Sequence, residues 1–484
     1  MELDNVGCAE DGSSLDPAAL MSMCARGGDC IVWRAPVRTA ALFSAELEAA
    51  AALAGLPPES LARLSPGLWL LLPAASEPSG AAARQQLLDW LPAMGGVRLR
   101  GELCLAARSS AELIAACSSV RQREGFAPRW SLVYEVHYPA AEHPVIPFTR
   151  LHGAPSLIIG LHAALGAGYC DEDMCKSHDA DVPGAATLGA AAHAASAPVD
   201  AFVLLQCKNG LLLLRERTLD REPPEASQIA NVSQAARMAV ESAPGGPLAG
   251  ASAEMQVGSA SALAARAAPA GAAPSSRETS TTWNLPWWVA PWSDRGFGFS
   301  ASLDPLIGVG ALNLAACAHR ARLARASGGA QPLAGLSVYD PCVGSGTILA
   351  AALAGGAAAA AGSDMRGEFV EGTLANLREL GVLGEGPSEH IVVFEHDATV
   401  PLPQTTMASL PAPALVVSNP PWGKKFGKPE DGTPIVRSLI SQFPEATFVW
   451  LVNKATRQSL ESSEQVRIQK VIKLGGVEAV LMHA

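Results

Sequence analysis

The chain has no surplus of positive charge. Lysine and arginine number 35 against 46 aspartates and glutamates, a net charge of −11 with a pI near 5.4. That balance excludes a broad surface for coating nucleic acid and leaves local basic patches as the route to any polyanion. Long apolar runs are also missing. No stretch approaches the roughly 18 to 20 uncharged apolar residues that a membrane span requires. The opening residues, MELDNVGCAEDGSSLD, are acidic and lack the basic, apolar or arginine-rich character of signal and transit peptides. A soluble intracellular protein, cytoplasmic or also nuclear, is therefore expected. The 10 cysteines follow no regular spacing, which suits a reducing compartment where thiols act as small apolar groups. Cys170, Cys175 and His178 make half of a metal site with no second half nearby, so no metal is expected.

What the chain does have is length and apolar content. At 484 residues it exceeds one ordinary domain, so two domains and a linker are the natural expectation. Hydrophobic residues make up 49%, enough for sizeable cores, although much of that is alanine. Residues 1–30 carry no convincing period and read as a loose tail. Residues 31–220 read as an α+β domain. It has a helix from Ala40 closed by Gly55, a strand at Leu68 to Pro73, a helix at Ala81 to Trp90, and a helix at Ser109 to Ser118. A strand at Ser131 to Tyr138 and a helix at Pro155 to Leu165 follow. Strands then flank Asn209-Gly210, a dipeptide that favours a hairpin. Residues 221–282 are rich in Pro, Ala, Gly and Ser and bury too little to offset chain entropy, which predicts a flexible linker. A second domain, 283–484, begins at the tryptophan cluster of Trp283, Trp287, Trp288 and Trp292.

Two stretches of that second domain carry the chemistry. In LSVYDPCVGSGTILAAAL, starting at Leu336, a short β-prone run ends at Asp340, and Gly344, Ser345 and Gly346 make a tight turn. An alanine-rich helix starts at Thr347. Glycines let backbone N–H groups close on a ligand, and the helix N-terminus adds partial positive charge. In LVVSNPPWG, starting at Leu415, a second apolar run ends in Asn419-Pro420-Pro421-Trp422. Two prolines fix the backbone and remove two donors. An amide oxygen, a carbonyl and a flat aromatic face then suit a planar base that carries an exocyclic NH2. Asp364 lies 18 residues beyond Gly346, about where a carboxylate accepts from ribose hydroxyls in Rossmann-like folds. Lys424, Lys425 and Lys428 form the strongest local basic cluster, beside the proposed base pocket, and suit a phosphate backbone. Arg121, Arg123, Arg129 and Arg150 are further candidates in the first domain.

DPCVGSGT followed by NPPWG resembles the Rossmann-like S-adenosylmethionine-dependent methyltransferases that modify exocyclic amines. The longer run PPWGKKFG is more similar to the THUMP-associated RNA guanine-N2 methyltransferases, the transfer RNA guanosine-10 enzymes and their relatives. The resemblance implies an α/β, Rossmann-like class I methyltransferase domain at the C-terminus, preceded by an α+β THUMP and ferredoxin-like domain that grips RNA. It implies S-adenosyl-L-methionine as cofactor, held by Asp340, Gly344, Ser345, Gly346, Thr347 and Asp364, with Asp397 contacting the adenine amine. Asn419, Pro420, Pro421 and Trp422 would be catalytic. Structured RNA, transfer RNA first, is the implied substrate, and a small zinc-binding activator protein is an implied partner. N6-adenine methylation, protein glutamine methylation and a catalytically inactive RNA-binding subunit stand as alternatives.

Overall fold

The computed structural model describes residues 30–35, 39–65, 67–72, 78–90, 94, 99–107, 109, 111–117, 129–136, 161, 164, 199–207, 210–216, 288–323, 331–384, 388, 390–421, 432–462 and 466–483. The expected tail, the linker, the 155–165 helix and the Cys170, Cys175, His178 trio fall outside these residues or almost entirely so. The described elements before Pro223 and after Thr282 belong to one compact unit.

The first half contains seven strands: β1 (Ile31–Arg34), β2 (Leu61–Ser65), β3 (Leu68–Leu71), β4 (Leu99–Ala107), β5 (Arg129–Val136), β6 (Val199–Cys207) and β7 (Gly210–Glu216). They form one sheet in the order β2-β3-β1-β4-β7-β6-β5. Every pairing is antiparallel except β5 with β6. The expected hairpin is present, with Cys207 opposite Gly210 across Lys208-Asn209. Helix Ala40–Ala54 covers the sheet and stops at Gly55, whose left-handed φ of 83° lets its N–H bond back to Ala51 and Ala52. Short strand β1 escapes a reading of periodicity because its four residues, IVWR, show almost no alternation. Its first three are buried.

The second half is an α/β sheet. Its strands are β8 (Ser337–Asp340), β9 (Ala359–Asp364), β10 (Ile391–Glu395), β11 (Leu415–Ser418), β12 (Thr447–Val452), β13 (Arg467–Lys473) and β14 (Glu478–His483). The order is β10-β9-β8-β11-β12-β14-β13. The first five run parallel, and β14 lies antiparallel between β12 and β13. This is the Rossmann-like α/β arrangement expected above. Central strands β11 and β12 are buried at every residue, as continuous apolar runs covered on both faces should be. The order reverses between β8 and β11, and in an open α/β sheet the crevice at such a reversal is where ligands bind.

One helix joins the two halves. Pro305–Arg322 starts on the Asp304 side chain, which accepts from the Leu306 N–H at 2.9 Å, and proline takes the first helical position. It packs on β11 and β12 on one side and on helix Ala40–Ala54 on the other. Leu42 and Ala45 of the first half join the core of the second, and Cys317 of the bridging helix joins the core of the first. Within the seam, buried Asn313 donates to the Oε1 of buried Glu46 at 2.7 Å. The helices approach closely because Gly310 has no side chain. A Cβ there would meet Leu42 Cδ2 and Cγ at 3.0 Å. Gly310→Val is expected to force the helices apart and cost about 1–3 kcal/mol. A lowered denaturant midpoint at unchanged slope is the readout; an unchanged midpoint removes the close-contact account.

Candidate functional site

The carboxyl ends of the parallel strands open into one cavity of about 690 Å³. Asp340, Gly344, Ser345, Thr347, Asp364, Asp397, Asn419, Pro420 and Pro421 all line it. Gly346 is the N-cap of helix Thr347–Ala354, directly behind that wall. Residues Trp422, Lys424, Lys425 and Lys428 lie outside the described residues.

The two motifs are joined through side chains. Ser418, the last residue of β11, donates its hydroxyl to Asp340 Oδ1 at 2.6 Å, and the Cys342 N–H donates to the same oxygen at 3.1 Å. Ser418 is fully buried and Asp340 is 2% exposed. Asp340 therefore ties the glycine turn to the residue before Asn419, as well as facing the cavity. Burial pushes its pKa up to about 7, against the Ser418 and Cys342 hydrogen bonds that pull it down; nearby Asp364 raises it further.

Four side chains from other elements hold the glycine turn. Asp364 at the end of β9 accepts from the Gly344 N–H with Oδ2 at 3.1 Å and from the Arg366 N–H with Oδ1 at 3.2 Å. Burial raises its pKa, and those two hydrogen bonds oppose the rise. Thr373 donates to the Gly344 carbonyl at 3.0 Å. Asn376 donates to the carbonyls of Ser345 and Phe297, at 2.9 and 2.8 Å, and accepts from the Phe297 N–H at 2.9 Å. Trp292 donates its indole N–H to Thr347 Oγ1 at 3.2 Å, which fixes the first helical turn. Gly346 has φ of +87°, and a Cβ there would sit 2.8 Å from Thr373 Cγ2, so the position takes glycine alone.

Asp397, beyond β10, accepts from the Thr399 N–H and hydroxyl through Oδ1, at 2.9 and 2.8 Å. The Thr399 N–H is the main cause of its lowered pKa, with the hydroxyl second. It is thus a turn-capping aspartate that also lines the cavity. Across from it, Phe299 and Phe369 stack with ring centroids 4.8 Å apart. The Arg366 guanidinium lies 4.4 Å over Phe369. Sequence reasoning passed over Phe297, Phe299, Thr373 and Ser418, gave Asn376 no site role, and placed Trp292 only in the tryptophan cluster that opens the domain. For the phenylalanines a signal was present in the Gly-Phe-Gly-Phe run (296–299), placed just before the helix-starting Asp304-Pro305. Among the described residues no cluster of acidic, histidine or cysteine side chains could hold a metal. None of their helices is long and apolar enough to cross a membrane.

No protein-family model matches the chain, and no curated protein matches it in sequence. Among solved structures, TrmN from Thermus thermophilus aligns at 13% identity with a TM-score of 0.43, over 94% of this chain and 99% of that one. A predicted N6-adenine-specific DNA methylase from Listeria monocytogenes str. 4b F2365 aligns at 10% identity with a TM-score of 0.43, over 94% of this chain and 96% of that one.

The buried aspartate makes stability depend on pH in a defined direction. The folded carboxyl keeps its proton to about pH 7, whereas an unperturbed one loses it near 3.8. Between those values the folded state binds more protons, so this residue's contribution to stability falls as pH rises. Asp340→Asn is expected to flatten the fall in melting temperature between about pH 4 and 7 relative to the unaltered protein. Parallel profiles for the two proteins would show that Asp340 ionises normally. Removing the turn's staple is a separate test. Asn376→Ala strips hydrogen bonds from three buried or half-buried backbone groups and is expected to cost about 1–3 kcal/mol in stability, read by chemical denaturation.

Proposed function

We propose that the protein methylates the exocyclic N2 amine of a guanosine in structured RNA, with transfer RNA the first substrate class, using S-adenosyl-L-methionine. The observation that carries this reading is the meeting of the two motifs. Asp340 and Ser418 end neighbouring strands β8 and β11, share a 2.6 Å hydrogen bond, and bring the glycine turn and Asn419-Pro420-Pro421 to one cavity. A site for methyl transfer must hold a methyl donor and an amine side by side, and this pairing of a nucleotide-type turn with an amide-and-proline acceptor motif supports that.

The lining residues fit the cofactor. Asp364 and Asp397 line one cavity and would accept from hydroxyl and amine donors there, and Phe299 in the same lining would offer a flat face. Arg366 is the only lysine or arginine among the described lining residues, and it is turned onto Phe369 and paired with Glu368. That leaves the acidic end suited to a cationic ligand. Asp340, Gly344, Ser345, Gly346, Thr347, Asp364 and Asp397 would hold the cofactor, which supplies an activated methyl group when bound. The chain's own task is placement. Asn419 Oδ1 and the Pro420 carbonyl would accept from the acceptor amine and aim its nitrogen lone pair, and Trp422 would stack on the base. A paired target must first be flipped out of its helix, at a cost of a few kcal/mol. Lys424, Lys425 and Lys428 would then meet the phosphate backbone, and the first half would grip the RNA away from the chemistry. Association with a small zinc-binding activator is part of the same proposal and is tested by co-purification.

Asn419→Ala is expected to abolish turnover, by at least about 100-fold, while cofactor affinity stays within about twofold. Calorimetric titration with S-adenosylmethionine and labelled-methyl incorporation into RNA measure the two effects. Loss of cofactor binding would reassign Asn419 to the cofactor end. Nucleoside analysis of the labelled RNA decides the product: N2-methylguanosine is expected. N6-methyladenosine or a labelled protein band would transfer the assignment to those alternatives, and no heat on titration would leave a non-catalytic RNA-binding protein.

A further inference from the structure

The cavity changes chemistry as it crosses the sheet. In strand order, β10 is followed by Asp397, β9 ends in Asp364, β8 in Asp340, and β11 is followed by Asn419. Next come Leu451 near the end of β12 and Leu474 and Val477 in the β13–β14 turn, and all of these residues line the cavity. Neighbouring strands are about 4.8 Å apart. Three carboxylates therefore stand on one side of Asn419 and a run of aliphatic side chains on the other. Leu303, just before the bridging helix, and Ile307, in its first turn, also line the cavity and pack into the same core as Leu474 and Val477.

The turn is built to present those two side chains and nothing charged. The Leu474 N–H donates to the Val477 carbonyl at 2.8 Å, Gly475 takes a φ of 75°, and both glycines of the turn are exposed while Leu474 and Val477 are half-buried. The neighbouring acid, Glu478, is drawn away into an ion pair with Arg457. Half-buried aliphatic groups beside a polar hook suit a flat, uncharged ring, which gains from apolar contact on its faces and hydrogen-bonds only at its edge. Resting on the function proposed above, we propose that Leu474 and Val477, with Leu303 and Ile307, form the platform that receives the ring of the acceptor base. The β13–β14 turn thereby sets the preference for a planar acceptor over a flexible protein side chain.

The test uses the full-length protein, labelled S-adenosylmethionine and bulk transfer RNA lacking base methylation. Leu474→Ser with Val477→Ser, which leaves the Gly475-Gly476 turn intact, is expected to raise the KM for RNA about 10-fold, with cofactor affinity unchanged. Leu474→Met with Val477→Ile should restore it. Val477→Phe fills the platform instead of emptying it and gives an independent arm, with the same rise in KM and the same unchanged cofactor affinity. An unaltered KM in both arms overturns the inference, as does a matching loss of cofactor affinity, which would place the turn at the cofactor end. Failure of the function itself is separately visible, because the unaltered protein would then bind cofactor yet label no nucleoside.

Discussion

The 2.6 Å hydrogen bond from Ser418 to Asp340 is the constraint on which the site depends. It spans the point where the strand order reverses, so the chain on either side belongs to different halves of the sheet. A parallel sheet would by itself hold β8 and β11 in register, but it leaves the loops beyond their ends undetermined. A buried carboxylate removes that freedom. It accepts from the Cys342 N–H of one loop and from the Ser418 hydroxyl just before the other, and at such buried positions these bonds are costly to break. The two loops therefore keep their relative position without contacting each other through a ligand.

Around that bond the turn is held from outside itself. Asp364, Thr373, Asn376 and Trp292 reach it from a strand end, one helix shared by two of them, and a segment 55 residues upstream of Thr347. Glycine supplies the backbone conformation but no rigidity, and the polar neighbours supply rigidity without intruding on the cavity. The outcome is preorganisation: hydrogen-bond donors and acceptors are fixed before anything binds, so binding need not order them.

Much of this was legible beforehand. Glycine, proline and β-branched runs mark local backbone, and they placed β8 and β11, the helix closed by Gly55 and the β6–β7 hairpin. The site residues that sequence patterns pick out are those tied to a local feature, such as a turn or a strand end. The supporting residues are not of that kind. Asn376 meets Phe297 across 79 positions, and its place on the inner side of an amphipathic helix follows only once that helix is docked. Ser418 looks like any small residue closing a strand, and its function comes from a neighbour that topology alone delivers. Asp397 shows the converse: its capping contact to Thr399 is purely local, and its place in the cavity wall was implied by the family resemblance and not by any local pattern.

The bridging helix carries a mechanical consequence. Its first turn contributes Ile307 to the cavity, its middle is locked to the other half through Gly310 and Asn313, and its far end places Cys317 in the first half's core. A stiff rod clamped along most of its length transmits displacement rather than absorbing it. Any load applied to the first half would reach the cavity wall as movement of Ile307, so the two halves share one lever.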